Sequence, residues 1–223
     1  MSSAEVDIAE AVDERRTAVV AALSLTLGSA LVGTHIRPGD DLWIRVTADA
    51  WADTFRVLRD THRMRFFNWL SAIDWMPSPY GRDMDSQVDN IVSGKVAKAP
   101  EKMVTGYAGG DTRFQVVGRV HSLTDRFGLT VKADVPEATL TVASIIGVYA
   151  GANWHEREVA EMYGISFAGH PDPRKLYLPT EFEGYPLRKD FPLLARRIKP
   201  WPGIVDVEQM PGDDEPEEPA AEG

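Results

Sequence analysis

The 223-residue sequence is 43% hydrophobic and 26% charged, enough apolar side chains for one sizeable core, and carries a formal net charge of −10. It contains no cysteine, which excludes disulfides, Cys-ligated zinc and iron–sulfur clusters held by its own thiolates. The acidic balance argues against a nucleic-acid surface, which needs clustered Lys and Arg; six acids fall in residues 213–222, and the remainder holds 28 acids against 24 bases.

Ala4 to Leu27 has Val6, Ala9, Val12, Val19 and Leu23 near helical spacing and predicts an amphipathic helix, part of an N-terminal helical segment over 1–34. The uncharged run Val19 to Gly33 is 15 residues, short of the ~20 that span a bilayer. The region before it is acidic, unlike the start of a signal peptide. The chain therefore reads as cytoplasmic, with membrane association through partners. Asp41 to Thr47 alternates Leu42, Ile44 and Val46 as a half-buried strand. Thr47 or Asp49 is then placed to cap a helix with Ala50, Phe55, Val57 and Leu58 on its apolar face.

Phe66 to Met76 predicts a buried strand stopped by Pro77-Ser78-Pro79, and Trp43, Trp69 and Trp75 are assigned to the core. Residues 81–111 are polar and rich in Gly, Ala and Lys, an inserted surface loop whose Gly106, Gly109 and Gly110 lack the spacing of a nucleotide cradle. Thr112 to Ser122 and Gly128 to Val135 flank the polar turn Leu123 to Phe127, an antiparallel hairpin. A helix is expected from about Thr139 to Tyr149. The order implies an α+β domain over 35–165, with a mixed or antiparallel sheet of about four strands and helices on one face.

Asn153 is placed to cap a helix from Trp154 to Tyr163, closed by Gly164. Within it Glu158 and Glu161 repel at a spacing of three, and Arg157 pairs with Glu161 in the weaker order. These acids need bases from elsewhere. Residues 171–200 supply seven bases against four acids, and seven of the 15 prolines fall between Pro171 and Pro202, which favours an extended run. Its Leu176, Tyr177, Leu178, Phe182, Tyr185, Leu187, Phe191, Leu193, Leu194 and Trp201 form too much apolar surface for a solvated linker. Residues 166–203 therefore read as an extended, proline-rich, partner-docking arm, with Trp201 an interface anchor. Residues 204–223 read as an acidic disordered tail.

His155-Glu156 lacks the second His of a zinc-protease motif, because position 159 is Val. A metal cluster of His155, Glu158, Glu161, His170 and Asp172, the basis of a stand-alone metal-dependent hydrolase, is set against an ion-pair network with the downstream Arg and Lys. The network is favoured.

Glu156-Arg157-Glu158-x-x-Glu161-Met162-Tyr163, His170, Arg174-x-Leu176-Tyr177 and the run from Glu183 to Pro192 stand at defined gaps. Together they resemble the 30 kDa subunit family of respiratory complex I, the proton-translocating NADH:quinone oxidoreductase. The resemblance implies a peripheral subunit on the cytoplasmic face of the plasma membrane, docked on the large quinone-site subunit beside iron–sulfur subunits. It implies no cofactor in this chain, FMN and iron–sulfur clusters in its partners, NADH and quinone as substrates of the complex, and no catalysis by the isolated chain. By the same resemblance Glu156, Arg157, Glu158, Glu161, His170, Arg174, Arg188, Lys189 and Asp190 are structural or interface residues; Tyr177 of the motif and the anchor Trp201 are counted with them. The alternative is the equivalent subunit of a related membrane-bound hydrogenase or formate hydrogenlyase.

Overall fold

Period-two alternation sets the centre of the fold. In β2 (Asp41–Val46), Leu42, Ile44 and Val46 are buried while Asp41, Trp43 and Arg45 are half-buried on the opposite face. The computed structural model describes residues 4–37, 40–76 and 110–191, with side chains from Glu14 onward.

The sheet holds β2 together with β1 (Leu31–Arg37), β3 (Phe66–Asp74), β4 (Phe114–Ser122) and β5 (Phe127–Asp134), in the order β1-β2-β5-β4-β3. Its pairs are antiparallel except β2 with β5, which run parallel with Leu42 opposite Leu129 and Ile44 opposite Val131. The fold is thus α+β with a mixed sheet. The hairpin β4–β5 is the one the polar turn predicts. β1 adds a fifth strand that begins inside the apolar run Val19–Gly33: helix α1 (Ala4–Leu27) stops, Gly28–Ala30 makes a single tight turn, and the chain extends. In α1, Leu23 is fully buried but Leu25 is 89% exposed, so only part of its apolar surface meets the core.

Helix α2 (Trp51–Asp60) starts without a side-chain cap from Thr47 or Asp49, because the turn Ala48–Ala50 intervenes. It buries Trp51, Phe55 and Leu58 against the sheet. The contact is close at Gly118 of β4, where a Cβ would lie 2.7 Å from the Phe55 ring. Among the described residues Trp51 is the fully buried tryptophan. Trp43, Trp69 and Trp75 are only half-buried: Lys132 sits 5.2 Å over the Trp43 ring, and the Trp75 indole N–H donates to Gln115 at 2.9 Å.

The expected helix over 139–149 is absent. Leu140 takes a positive φ of 46°, β6 (Thr141–Ala143) pairs in parallel with β7 (Ser166–Ala168), and Ile145 to Tyr149 form a turn. The β-branched Thr141 and Val142 suit a strand, and the carboxylate of Glu156 takes the N–H of Ile145, fixing it in the turn. Helix α3 (Ala152–Tyr163) begins after Gly151, so Asn153 lies inside the first turn and does not cap it. Gly164 closes α3 at a φ of 72°, as its position predicts. The inserted loop is outside the described residues up to residue 109, as are Trp201 and the acidic tail.

Candidate functional site

The charged signature builds a strap, residues 170–191, laid back along α3. Six of its backbone groups are held by side chains of α3 and of the β3 end. Glu161, 6% exposed, accepts the N–H groups of Leu176 at 2.9 Å, Tyr177 at 3.0 Å and Leu178 at 2.5 Å. Burial alone pushes its carboxyl up; the three N–H bonds and nearby Lys175 outweigh this and hold it below the ordinary carboxylate value. Arg157 donates to the carbonyls of Arg174 at 2.8 Å and Lys175 at 3.1 Å. One face of α3 thus grips both N–H and C=O groups of the same strap segment.

Upstream, Glu156 is fully buried. Its carboxylate accepts from Ser144 Oγ and Ile145 N–H, each at 2.6 Å, and burial raises its pKa despite those bonds. His170 Nε2 lies 4.0 Å from it and 3.2 Å from the Asn153 carbonyl, while Nδ1 accepts the Asp172 N–H at 3.0 Å. That acceptor role places the ring proton on Nε2, where it donates to Asn153. Arg174 forks onto Asp172 through two bonds of 2.7 Å and holds it down to about 2.

Downstream, the ammonium of Lys175 donates to the carbonyls of Pro179, Thr180 and Phe182, closing a loop over which Phe182 and Phe191 stack at 6.0 Å. Arg188 donates to the Tyr163 carbonyl at 2.6 Å and lies over the rings of Tyr185 and Phe114. The far end is pinned by Asp74, whose buried carboxylate accepts from Arg113 at 2.7 and 2.9 Å and from the Lys189 N–H at 2.8 Å; Arg113 also pairs with Asp190 at 3.0 Å.

The ion-pair network expected around the signature acids is therefore mostly something else. Glu156 and Glu161 bind N–H and O–H groups, Arg157 and Arg188 bind carbonyls, and among the described residues the arginine–carboxylate salt bridges of the strap are Asp172–Arg174 and Asp190–Arg113. Glu158 receives no hydrogen bond or ion pair from any described residue. His155 Nδ1 turns to the Leu70 carbonyl at 3.1 Å, and among the described residues no three His, Asp or Glu groups converge to hold a metal.

Among its charged residues the strap also exposes apolar side chains: Tyr177 is 62%, Tyr185 41% and Leu187 50% exposed. Trp154, at the start of α3, is 66% exposed. Sequence reasoning passed over Trp154, and also Asp74, Arg113 and Ser144, which lie far from the signature they hold. The available signal was an acid ending a buried strand just before Pro77, a position where a carboxylate needs a partner.

A family model described as respiratory-chain NADH dehydrogenase, 30 Kd subunit, matches residues 44–197, a span that includes both the sheet and the strap. The chain belongs to this family. An NADH-quinone oxidoreductase subunit of Roseiflexus sp. (strain RS-1) is 33% identical over 180 residues, 81% of this chain and 86% of that protein. The like-named subunit of Rhodopseudomonas palustris (strain TIE-1) is 36% identical over 175 residues, 75% of this chain and 71% of that protein. A chain of the membrane-bound sulfane sulfur reductase, an archaeal respiratory membrane complex, shares the fold with a TM-score of 0.55 at 17% identity, over 86% of this chain and 98% of that chain. As a member of this family, the chain works within a multisubunit respiratory oxidoreductase. None of its described helices is long and apolar enough to cross a membrane.

Proposed function

We propose that this chain is a docking subunit of the peripheral arm of proton-translocating NADH:quinone oxidoreductase, seated on the quinone-site subunit at the cytoplasmic side of the membrane. FMN and iron–sulfur clusters belong to its partners, and electrons pass from NADH to quinone through them. The chain positions those subunits and performs no chemistry alone. Its body, 35–165, is the platform, and residues 166–203 are the docking arm.

The observation that carries this reading is the division of labour in the strap. Many of its polar backbone groups are engaged within the chain by Glu161, Arg157, Lys175 and Asp74, while Tyr177, Tyr185 and Leu187 face outward. A segment tied down largely by polar bonds leaves the exposed parts of Tyr177, Tyr185 and Leu187 available to a partner. Membranes of a strain lacking the chain test it. Expected is loss of NADH-driven quinone reduction with retained NADH oxidation by a soluble artificial acceptor; unchanged quinone reduction contradicts the reading.

The fold likeness to a chain of a sulfane sulfur reductase supports a second reading, the equivalent subunit of a membrane-bound complex with a different electron donor, such as a hydrogenase. In that case the deletion abolishes hydrogen-linked rather than NADH-linked electron transfer.

A further inference from the structure

We propose that Trp154 and Glu158, one turn apart on α3, form a receiving site for an arginine of a neighbouring subunit. This rests on the reading of the chain as a docking subunit and adds a contact outside the strap. Trp154 is more exposed than Tyr177 or Tyr185, although it sits on a helix whose next turns are buried by core and strap. A cavity of about 350 Å³ opens beside it, lined by Ala150, Gly151, Asn153, Trp154 and His155. Next to Trp154, Asn153 Oδ1 is buried without a hydrogen-bond donor.

Glu158 supplies the charge. It is half-buried and, unlike Glu156 and Glu161, is met by no donor among the described residues. Residues at i and i+4 place their Cβ atoms ~5–6 Å apart on one helix face, so the Trp154 ring and the Glu158 carboxylate flank one point in space. The cations of the chain nearest in sequence are committed elsewhere: Arg157 to two carbonyls, Arg174 to Asp172, Lys175 to three carbonyls and Arg188 to Tyr163. Among the described residues no cation is left to meet Glu158, and the docking reading supplies one from a neighbouring subunit.

Guanidinium fits this pair better than ammonium. Its plane stacks on an indole, its fork meets a carboxylate, and it holds further N–H groups in reserve.

The test is a photo-reactive phenylalanine analogue at position 154, and separately at 185, in the full chain assembled in its native membranes. Cross-linked peptides are read by mass spectrometry. A cross-link from 154 to an arginine-containing segment of another subunit of the complex, weakened at least several-fold by Glu158→Gln, supports the site. A cross-link from 185 with none from 154 overturns it while leaving the docking reading standing, as does a 154 cross-link indifferent to Glu158. No cross-link from either position removes the docking reading itself. In parallel, Trp154→Ala is expected to melt as the parent does and to lower recovery of the assembled complex about tenfold, the effect of losing a modest hot spot; unchanged recovery overturns the site.

Discussion

The carboxylate of Asp74, at the end of β3, accepts the backbone N–H of Lys189 at 2.8 Å, across 115 residues of sequence. The same group holds Arg113 through two bonds, so the end of the sheet and the end of the strap share one buried charge. Its side chain is fully buried and that of Arg113 is 19% exposed. Asp74→Ala strands the guanidinium and frees residues 188–190. The expected loss is about 3 kcal/mol, since removing one partner of a buried pair leaves the other uncompensated. Urea unfolding of the isolated chain measures it.

Glu161→Ala removes the acceptor for three consecutive amides. Hydrogen exchange at Leu176, Tyr177 and Leu178 is expected to accelerate about thirtyfold, equivalent to about 2 kcal/mol, with the β4–β5 amides unchanged. Parent-like exchange at all three sites contradicts the grip described for α3.

Glu156 and Glu161 give stability opposite pH dependence. For Glu161 the folded pKa lies below its ordinary value of 4.5, so its contribution is complete above that value and is lost as pH falls through the lower folded pKa. For Glu156 burial raises the folded pKa, so its contribution is complete below 4.5 and is lost as pH rises through the higher folded value. Glu156→Gln keeps an acceptor for Ile145 and removes the buried charge. The melting temperature of this variant relative to the parent is expected to rise from pH 5 to pH 8; a flat difference contradicts the assignment.

Gly164→Ala places a Cβ 2.5 Å from Arg188 Nη2 and 2.7 Å from the Tyr185 ring, at a φ of 72°. The left-handed backbone alone costs about 1–2 kcal/mol, and the clash displaces the strap. Thermal melting is expected to show at least that loss, and near-ultraviolet circular dichroism a change from displaced Tyr185.

Arg188→Glu breaks the bond to the Tyr163 carbonyl and the stacking on Tyr185 and Phe114. Expected is reduced recovery of the assembled complex, with NADH oxidation by the separated electron-input module unaltered. Normal recovery contradicts a docking role for the strap.

Much of the sheet was legible because alternation and turn chemistry are local: Leu42, Ile44 and Val46 declare β2, and the polar run 123–126 declares the β4–β5 turn. The stretch 139–149 was not, because a short apolar run suits helix and strand alike and a distant carboxylate, Glu156, decided the matter. The start of β1 hid inside a continuous apolar run. At the site, the signature residues were visible as charges but their partners were not. Glu161 and Arg157 bind backbone groups, which every residue carries and no sequence pattern marks. Reading charges against charges therefore led to a salt-bridge network that the fold builds only at its edges.

Purification of the tagged chain from its own membranes in mild detergent, with identification of everything that accompanies it, is the decisive measurement of whether the strap serves a respiratory assembly. Expected is a stoichiometric set of NADH-quinone oxidoreductase subunits with flavin and iron–sulfur centres and NADH:quinone activity. Recovery of the chain alone, or of an assembly that lacks a flavin-bearing NADH-oxidising partner, contradicts the proposed role.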